Sequence, residues 1–512
     1  MSATTLTGMH TNEGPRVSWR GWLALAVLML PVLLVSVDNT VLSFALPQIA
    51  LDLEPTSAQQ LWIIDAYPLV LASLLVTMGT LGDRIGRRRL LMIGSIGFAA
   101  VSALAAFAPT AELLIAARAA LGFFGAMLMP STLSLLRSIF LDREQRRLAI
   151  AIWATGFSAG AALGPIVGGL LLEHFWWGSV FLMAVPVLVP LVIFVPMLVG
   201  ESRDPRPGRI DPMSILLSIA TMLPIVAGIK SLAIDGFGSL GVPMILLGLG
   251  AGWLFVRRQL RADSPMLDMR LFRRGAFSGA ILVNLLSVIG LVGFLYFVAQ
   301  HLQLILGMSP LESGFALLPG LLAMIVAGLG IVPIARRVSP RVVVPAALMF
   351  SVLGYLLVAV SSQSGTLATL IGAFIALGIG IGAAETVSNE LVLSSAPAAK
   401  AGAASAVSET AYELGAVLGT TLLGGILTAF YRANLVIPGG IPVDAAAHAR
   451  ETLGGAVAVS ETLDPALGEQ LMQAAAHAFD GGVVITSLIG AGLMITAAVI
   501  AAVSLRGTRN SA

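Results

Sequence analysis

The 512-residue chain has no cysteine, which excludes disulfides, thiolate metal sites and cysteine nucleophiles. Histidine is nearly as scarce, with 5 residues, several at the edges of polar segments. There is no HExxH, no GxSxG and no cluster of histidines, so neither a metalloprotease nor a serine-hydrolase reading finds its residues, and no metal site is expected. A GxxxxGK[ST] phosphate loop is also missing, which argues against ATP as an energy source. Charge is thin, at 11% of residues. What fills the chain is apolar: 57% hydrophobic residues and a mean hydropathy of +0.95, far beyond an ordinary soluble domain.

Runs of about 20 apolar residues, long enough to cross the hydrocarbon core of a bilayer, recur throughout. The sequence predicts 14 spans, at 21–46, 58–81, 90–108, 112–136, 148–171, 179–199, 212–233, 240–256, 276–299, 314–335, 342–361, 366–391, 402–430 and 482–505. The pair within 212–256 is the weakest. The first run is too long for a cleavable signal peptide and is followed by LSFALPQI, not by a small-residue cleavage site. The expected fold class is an all-α polytopic membrane protein.

The sequence pI near 9.2 raises the question of nucleic acid, and the placement of the cations answers it. With both termini in the cytoplasm, 25 of the 29 basic residues fall in inside segments, among them Arg84, Arg87 to Arg89, Arg257, Arg258, Arg336 and Arg337. Only Arg432 and Arg450 fall outside, and Arg118 and Lys230 fall within spans. This is the positive-inside bias of a plasma-membrane protein, and it supports an even number of spans. No nucleic-acid partner is expected. The lipid bilayer is the expected surroundings, and a monomer the expected functional unit.

Two stretches read as copies. GAALGPIVGGLL (160–171) is echoed by GAVLGTTLLGGIL (415–427), an offset of about 255. LGFFGA (121–126) and LGIGIGA (377–383) repeat the offset, as do the basic turns DRIGRRRLL (83–91) and ARRVSPRVVV (335–344). A duplication of that period implies two six-helix bundles with a substrate site near the midplane between them. The expected division is a first bundle over 1–205, two additional helices with their linker over 206–262, and a second bundle over 263–512. The last contains an outside loop, 431–481, which is soluble in character and to which the sequence assigns no role.

Ionisable residues inside spans are the sharpest signal, because each costs about 2.5–3.5 kcal/mol at a helix centre unless it faces a cavity or a partner. They are Asp38, Asp65, Arg118, Lys230, Glu385, Glu390, Glu409 and Glu413. Six acids against two bases leave a negative interior, which with aromatic walls favours lipophilic cations. Asp38 and Arg118 are either a permanent salt bridge or a switch. A carboxylate beside a guanidinium stays ionised, and one left alone in low dielectric takes up a proton. The position matching Arg118 in the second copy is Phe374, so the basic group belongs to one half only.

Asp65, near Trp62 and Tyr67 at the outer end of the second span, reads equally as an exit-side cation contact or as an interfacial anchor. Lys230 lies near the outer end of its span and reads as a snorkelling structural residue. Tyr296, Gln300, His301 and Gln303 are candidates for an outer vestibule.

SETAYELGAV (408–417) places Glu409 and Glu413 one helical turn apart. Two such carboxyls cannot both stay ionised cheaply in low dielectric, so one holds a proton until a cation displaces it. Competition of cation and proton for one negative charge is the minimum requirement for exchange. The alternative is that both acids bond to neighbouring helices or sit in water. Glu385 and Glu390 are weaker candidates, Glu390 being near the cytoplasmic end.

GTLGDRIGRRRLLM (79–92) adds glycines and an acid to a positive-inside loop, as a conformational latch would need. Its spacing resembles the signature loop of the major facilitator superfamily, on Gly79, Asp83, Arg84, Gly86 and Arg87. VDNTVLSFALP (37–47) resembles the first-span motif of that superfamily's 14-span drug:proton antiporters, and LIAARAALGFFGA (114–126) resembles their fourth-span motif. GAALGPIVGG (160–169) resembles the fifth-span antiporter motif, carried by Gly160, Gly164, Pro165, Gly168 and Gly169. One departure is Ala151, where the family has glycine. The resemblance extends over nearly the whole chain, through LWIIDAYPL (61–69), HFWWGSVFLMAVP (174–186) and SETAYELGAVLG (408–419).

The resemblance implies the major facilitator fold with two extra helices, and a proton-coupled multidrug efflux antiporter working by alternating access. Its substrates would be lipophilic, mostly cationic compounds: dyes, quaternary ammonium biocides and, as a further class, fluoroquinolones. The energy source would be the proton gradient, with no cofactor. Proton coupling would fall to Asp38, Arg118 and Glu413; substrate contact to Trp62, Asp65, Tyr67, Glu390, Glu409 and Glu413. The rival transporter reading is a proton-coupled exporter of one endogenous metabolite or lipid. A membrane enzyme or sensor has no motif to support it.

Overall fold

The computed structural model describes residues 17–203, 211–236, 240–262, 265, 269–361, 366–395 and 401–505. The middle of the charged linker predicted at 201–212 and most of the arginine-flanked termini therefore lie outside the described residues, as does Lys400. The described residues are helical almost throughout. Fourteen long helices follow one another: α1 (Trp19–Leu53), α2 (Ser57–Ile85), α3 (Arg87–Ala105), α4 (Ala111–Ile139), α5 (Arg143–His174) and α6 (Ser179–Leu198), then α7 (Pro212–Asp235) and α8 (Gly241–Arg261). After these come α9 (Gly275–Gln300), α10 (Pro310–Ala335), α11 (Pro340–Ser361), α12 (Leu367–Ser395), α13 (401–434, with a π-helical stretch at Gly419–Gly424), and α16 (Pro465–Ser504). Twelve are long and apolar enough to cross a membrane. Of the other two, α5 includes residues outside the described set, and α8 has its apolar run cut short at Arg257. The end of the bundle with the turn between Leu53 and Ser57 is termed distal, that with Gly86 proximal.

The duplication seen in the sequence is a duplication of contacts. A Cβ at Gly160 or Gly164 of α5 would lie 2.9 Å from the Leu33 carbonyl or 3.2 Å from that of Val37 on α1. At Gly415 and Gly419 of α13 it would lie 3.0 Å from the Leu285 carbonyl and 2.8 Å from that of Ile289 on α9. The partners are offset by 252 residues (285 − 33 and 289 − 37) and the glycines by 255. The arginine site breaks the symmetry: where Arg118 reaches α1, Phe374 stacks on Phe294 of α9, centroids 4.8 Å apart.

Because Gly164 packs against Thr40 Cβ at a projected 2.9 Å, Gly164→Val should wedge α1 from α5. Overpacking of this kind costs about 1–3 kcal/mol. The expected result is a lower melting temperature of the detergent-solubilised protein and reduced transport, with Gly164→Ala milder on both.

The 79–92 segment makes the tight turn between α2 and α3. Gly86 takes φ 115°, a conformation that side chains with a Cβ avoid, and breaks α2 from α3. Arg87 bonds Asp83 at 2.8 Å. Glu201, just beyond α6, accepts from the backbone N–H groups of Arg88 (3.0 Å) and Arg89 (3.3 Å), a carboxylate on the positive end of α3. Arg84 is exposed. The loop is thereby pinned to its own bundle, at the end of α6.

α7 and α8 form a hairpin whose proximal end is closed by Arg258, which bonds Asp211 through Nε (2.6 Å) and Nη2 (2.8 Å). These bonds hold the Asp211 carboxyl well below the usual carboxylate range. A depressed value stabilises the folded state above the ordinary carboxylate pKa and is lost as pH falls. The pair is exposed, so its contribution is small.

The predicted loop at 431–481 is corrected by the structure. α13 continues to Asn434, α14 (Val443–Glu451) and α15 (Leu453–Thr462) follow, and α16 starts at Pro465, well before the predicted span at 482. The opening turns of α16, PALGEQLMQAAAHAF, are too polar to register as a span yet good helix formers. α14 and α15 pack over the distal end. Glu451 accepts from the Ser57 N–H at 3.2 Å and its hydroxyl at 2.9 Å, and Gly454 abuts Ala50 of α1.

Candidate functional site

Helix α1 presents two adjacent polar side chains to different neighbours. Asp38, 5% exposed, receives Arg118 Nη1 of α4 at 2.7 Å. Arg118 is 1% exposed; its Nε donates to the Ile63 carbonyl of α2 at 3.1 Å, and its guanidinium lies 4.6 Å from the Tyr67 ring centroid. This arginine is over-determined by a carboxylate, a carbonyl and an aromatic face. The pair predicted from sequence is present and buried.

The next residue, Asn39, faces the second bundle. Its Nδ2 donates to Glu413 Oε1 of α13 at 3.4 Å. Glu413 is 7% exposed, and its Oε2 has no hydrogen-bond partner among the described residues. Asp38, Arg118 and Glu409 are all within electrostatic reach of Glu413. The i, i+4 stacking of Glu409 and Glu413 therefore holds, but the two acids differ. Glu409 is half-buried and within reach of Arg137 of α4, while Glu413 is sealed and has no basic residue bonded to it among the described residues. Asn39 was not flagged by the sequence: an uncharged amide beside an aspartate carries little signal until the fold shows what it faces.

Glu385 of α12 is half-buried, with Oε1 lacking a hydrogen bond among the described residues, and stands within electrostatic reach of Tyr412. Glu390 is exposed, beside the exposed Asn389.

The grouping of Asp65 with Trp62 and Tyr67 is corrected in two respects. Residues 65 and 67 are two apart on a helix, about 200° around it, so their side chains diverge. Tyr67 packs under Arg118 and belongs with Asp38, whereas Trp62, three residues before Asp65, shares its face. Nor is Lys230 a snorkelling residue. It is 2% exposed, with Nζ 2.9 Å from Asp65 Oδ2 and 3.8 Å from the Trp62 ring centroid. Thr421, in the π-helical stretch of α13, donates to the same Asp65 oxygen at 2.8 Å. Hydropathy near a helix end cannot reveal a partner on another helix.

Toward the distal end further contacts tie the bundles together. Gln303 Nε2 donates to the Phe44 carbonyl at 3.2 Å, and a Cβ at Gly169 of α5 would sit 2.9 Å from the Pro310 carbonyl of α10. Within the second bundle, His301 lies 3.1 Å from Asp480 of α16. The 160–169 motif thus lines two interfaces, α1 in its own bundle and α10 in the other. The distal half of the interface is closed.

Two duplicated helical bundles that meet at buried, unevenly compensated charges define a membrane carrier. The chain belongs to the Major Facilitator Superfamily, whose profile matches residues 28–420. It is 56% identical over 496 residues to the multidrug efflux pump LfrA of Mycolicibacterium smegmatis, covering 97% of this chain and 98% of that one. It is 36% identical to the methyl viologen resistance protein SmvA of Salmonella typhimurium, over 90% of this chain and 93% of that one. Among solved structures, a bacterial homologue of the human lysosomal transporter Spinster, inward-facing and unoccupied, superposes with a TM-score of 0.65. It covers 94% of this chain and 97% of that one at 16% identity, a likeness of fold alone.

Proposed function

We propose that this protein is a proton-coupled antiporter that exports lipophilic cations across the plasma membrane, with both termini in the cytoplasm and the distal end outside. The observation that carries this reading is Glu413: a sealed carboxylate at the bundle interface, whose one hydrogen-bond partner among the described residues is the Asn39 amide, next to an ion pair that is already balanced. A carboxyl in that position holds either a proton or a cation as its counter-charge. Exchange of the two, with the bundles rocking about the interface, is antiport. The names of LfrA and SmvA support drug and biocide cations as the cargo.

In this reading Asp38 and Arg118 sense the charge at Glu413 through Asn39, and the 160–169 helix face transmits rocking to the distal gate at Pro310. Glu409, closer to Arg137, meets the cation on its way in. No cofactor is needed, the proton gradient being the energy source, and a monomer contains the whole site.

The test is ethidium uptake by everted vesicles carrying the protein, with an imposed inward-acid pH gradient. Uptake that dissipates the gradient supports the reading. Indifference to a panel of lipophilic cations overturns it and favours a carrier dedicated to one metabolite or lipid.

A further inference from the structure

The chain has only two lysines, Lys230 and Lys400, against 27 arginines, and one of the two is among its most buried side chains. Burying an ammonium is costly. A buried ion pair is often no more stable than apolar residues of the same volume, so stability alone gives no reason for Lys230 and Asp65. Their location suggests another. Asp65 comes from α2 of the first bundle, Thr421 from α13 of the second and Lys230 from α7 of the accessory hairpin, so three bodies that move relative to one another in a rocking carrier meet at one carboxylate. The contact is also arranged as a cation receptor. An ammonium held 3.8 Å over an indole face and 2.9 Å from a carboxylate is the geometry in which proteins bind quaternary and alkylammonium ligands. The second oxygen, Asp65 Oδ1, is buried and makes no hydrogen bond among the described residues. Thr421 reaches Asp65 from a π-helical stretch, the kind of local irregularity that marks functional sites in helices.

We propose that Asp65 and Trp62 form a second cation site, kept shut in this conformation by the protein's own lysine, and that Lys230 is displaced by the far charged end of a dication whose near end occupies Glu413. The inference rests on the cation-export reading and adds to it a ligand class. Thr421 follows Glu413 by eight residues on α13, about 12 Å along the axis at 1.5 Å per residue. The dication it fits is therefore long, with charges about that far apart. For a monocation the second site stays closed and Lys230 keeps the outer half of the path neutral. Lys230 is on this account a specificity-determining residue: its displacement is the cost of admitting a long dication, and a short one cannot reach it from Glu413.

The experiment compares uptake of ethidium, decamethonium and its four-methylene analogue by everted vesicles. Lys230→Gln should raise the ratio of decamethonium to ethidium uptake on the order of tenfold, the worth of one uncompensated charge–aromatic contact, and leave the ratio for the four-methylene analogue unchanged. Adding Asp65→Asn should remove the gain. An unchanged decamethonium-to-ethidium ratio in Lys230→Gln overturns the inference. The natural chain gives a second readout, independent of whether the variant accumulates. Saturating decamethonium should increase acetylation of Lys230 by acetic anhydride relative to Lys400, read by mass spectrometry, whereas ethidium should not. Equal labelling with and without decamethonium overturns the proposal. If the unsubstituted protein exports no cation, the functional reading falls and this inference with it; if it exports ethidium normally and both readouts are flat, only the inference falls.

Discussion

Glu413→Gln is expected to abolish pH-gradient-driven export of ethidium while leaving the protein folded and in the membrane. The glutamine keeps the shape of the side chain and can still bond the Asn39 amide, so packing at the interface is preserved. What it loses is the charge. A unit charge pair about 4 Å apart is worth about 4 kcal/mol at an effective dielectric of about 20, nearly three decades in affinity. Part of that is offset by removing the cation from water, and a loss of at least about a hundredfold in export rate at matched expression is the expectation. The neighbouring acid makes a control. Glu409→Gln should weaken export by no more than about tenfold, because Glu409 is half-exposed, within reach of Arg137, and screened. Equal losses at the two positions would show that the pair acts as one shared-proton unit and not through Glu413 alone. Wild-type export in Glu413→Gln would remove the site.

The sequence made some of this visible and hid the rest for reasons that can be stated. Hydropathy is a local property, and thirteen of the fourteen predicted spans coincide with helices to within about seven residues at either end. The exception is α16, whose polar distal half is a helix supported by packing against α13 and α15 and not by a bilayer. The stacking of Glu409 over Glu413 was legible because four-residue spacing is fixed by the helix itself. The Asp38–Arg118 pair was legible only as two opposite charges inside spans, since 80 residues separate the partners and the sequence does not fix their contact. Lys230 was misread because the sequence gives its depth but not its neighbour. Tyr67 was grouped with Asp65 by proximity in the chain, although two positions along a helix point to opposite sides. Glu201 and Glu451 gave no signal at all: each lies in a polar segment, and its role comes from the helix end it meets, α3 for the first and α2 for the second.

Asp38→Asn should damage stability as well as transport, and its pattern separates a switch from a strut. Arg118 would keep its bond to the Ile63 carbonyl and its place over the Tyr67 ring but lose the only carboxylate that bonds it among the described residues, leaving a guanidinium buried without a counter-charge. Breaking one partner of such a pair costs about 3–5 kcal/mol, so accumulation and melting temperature should both fall. Arg118→Met in the same chain should restore most of the melting temperature, because an apolar side chain of similar length fills the space without a charge, much as Phe374 fills the equivalent site in the second bundle. Transport is where the two accounts divide. If Asp38 and Arg118 only brace α1 against α4, the Asp38→Asn/Arg118→Met chain should export ethidium at nearly the rate of the natural protein. If they report the occupancy of Glu413 through Asn39, the stabilised double variant should remain transport-dead, at least about a hundredfold down, while still binding ethidium in detergent at Glu413. We expect the second outcome. The asymmetry of the duplicated fold points to it: the same packing problem is solved in the other bundle by a phenylalanine, so a charge pair is not required to hold these helices together.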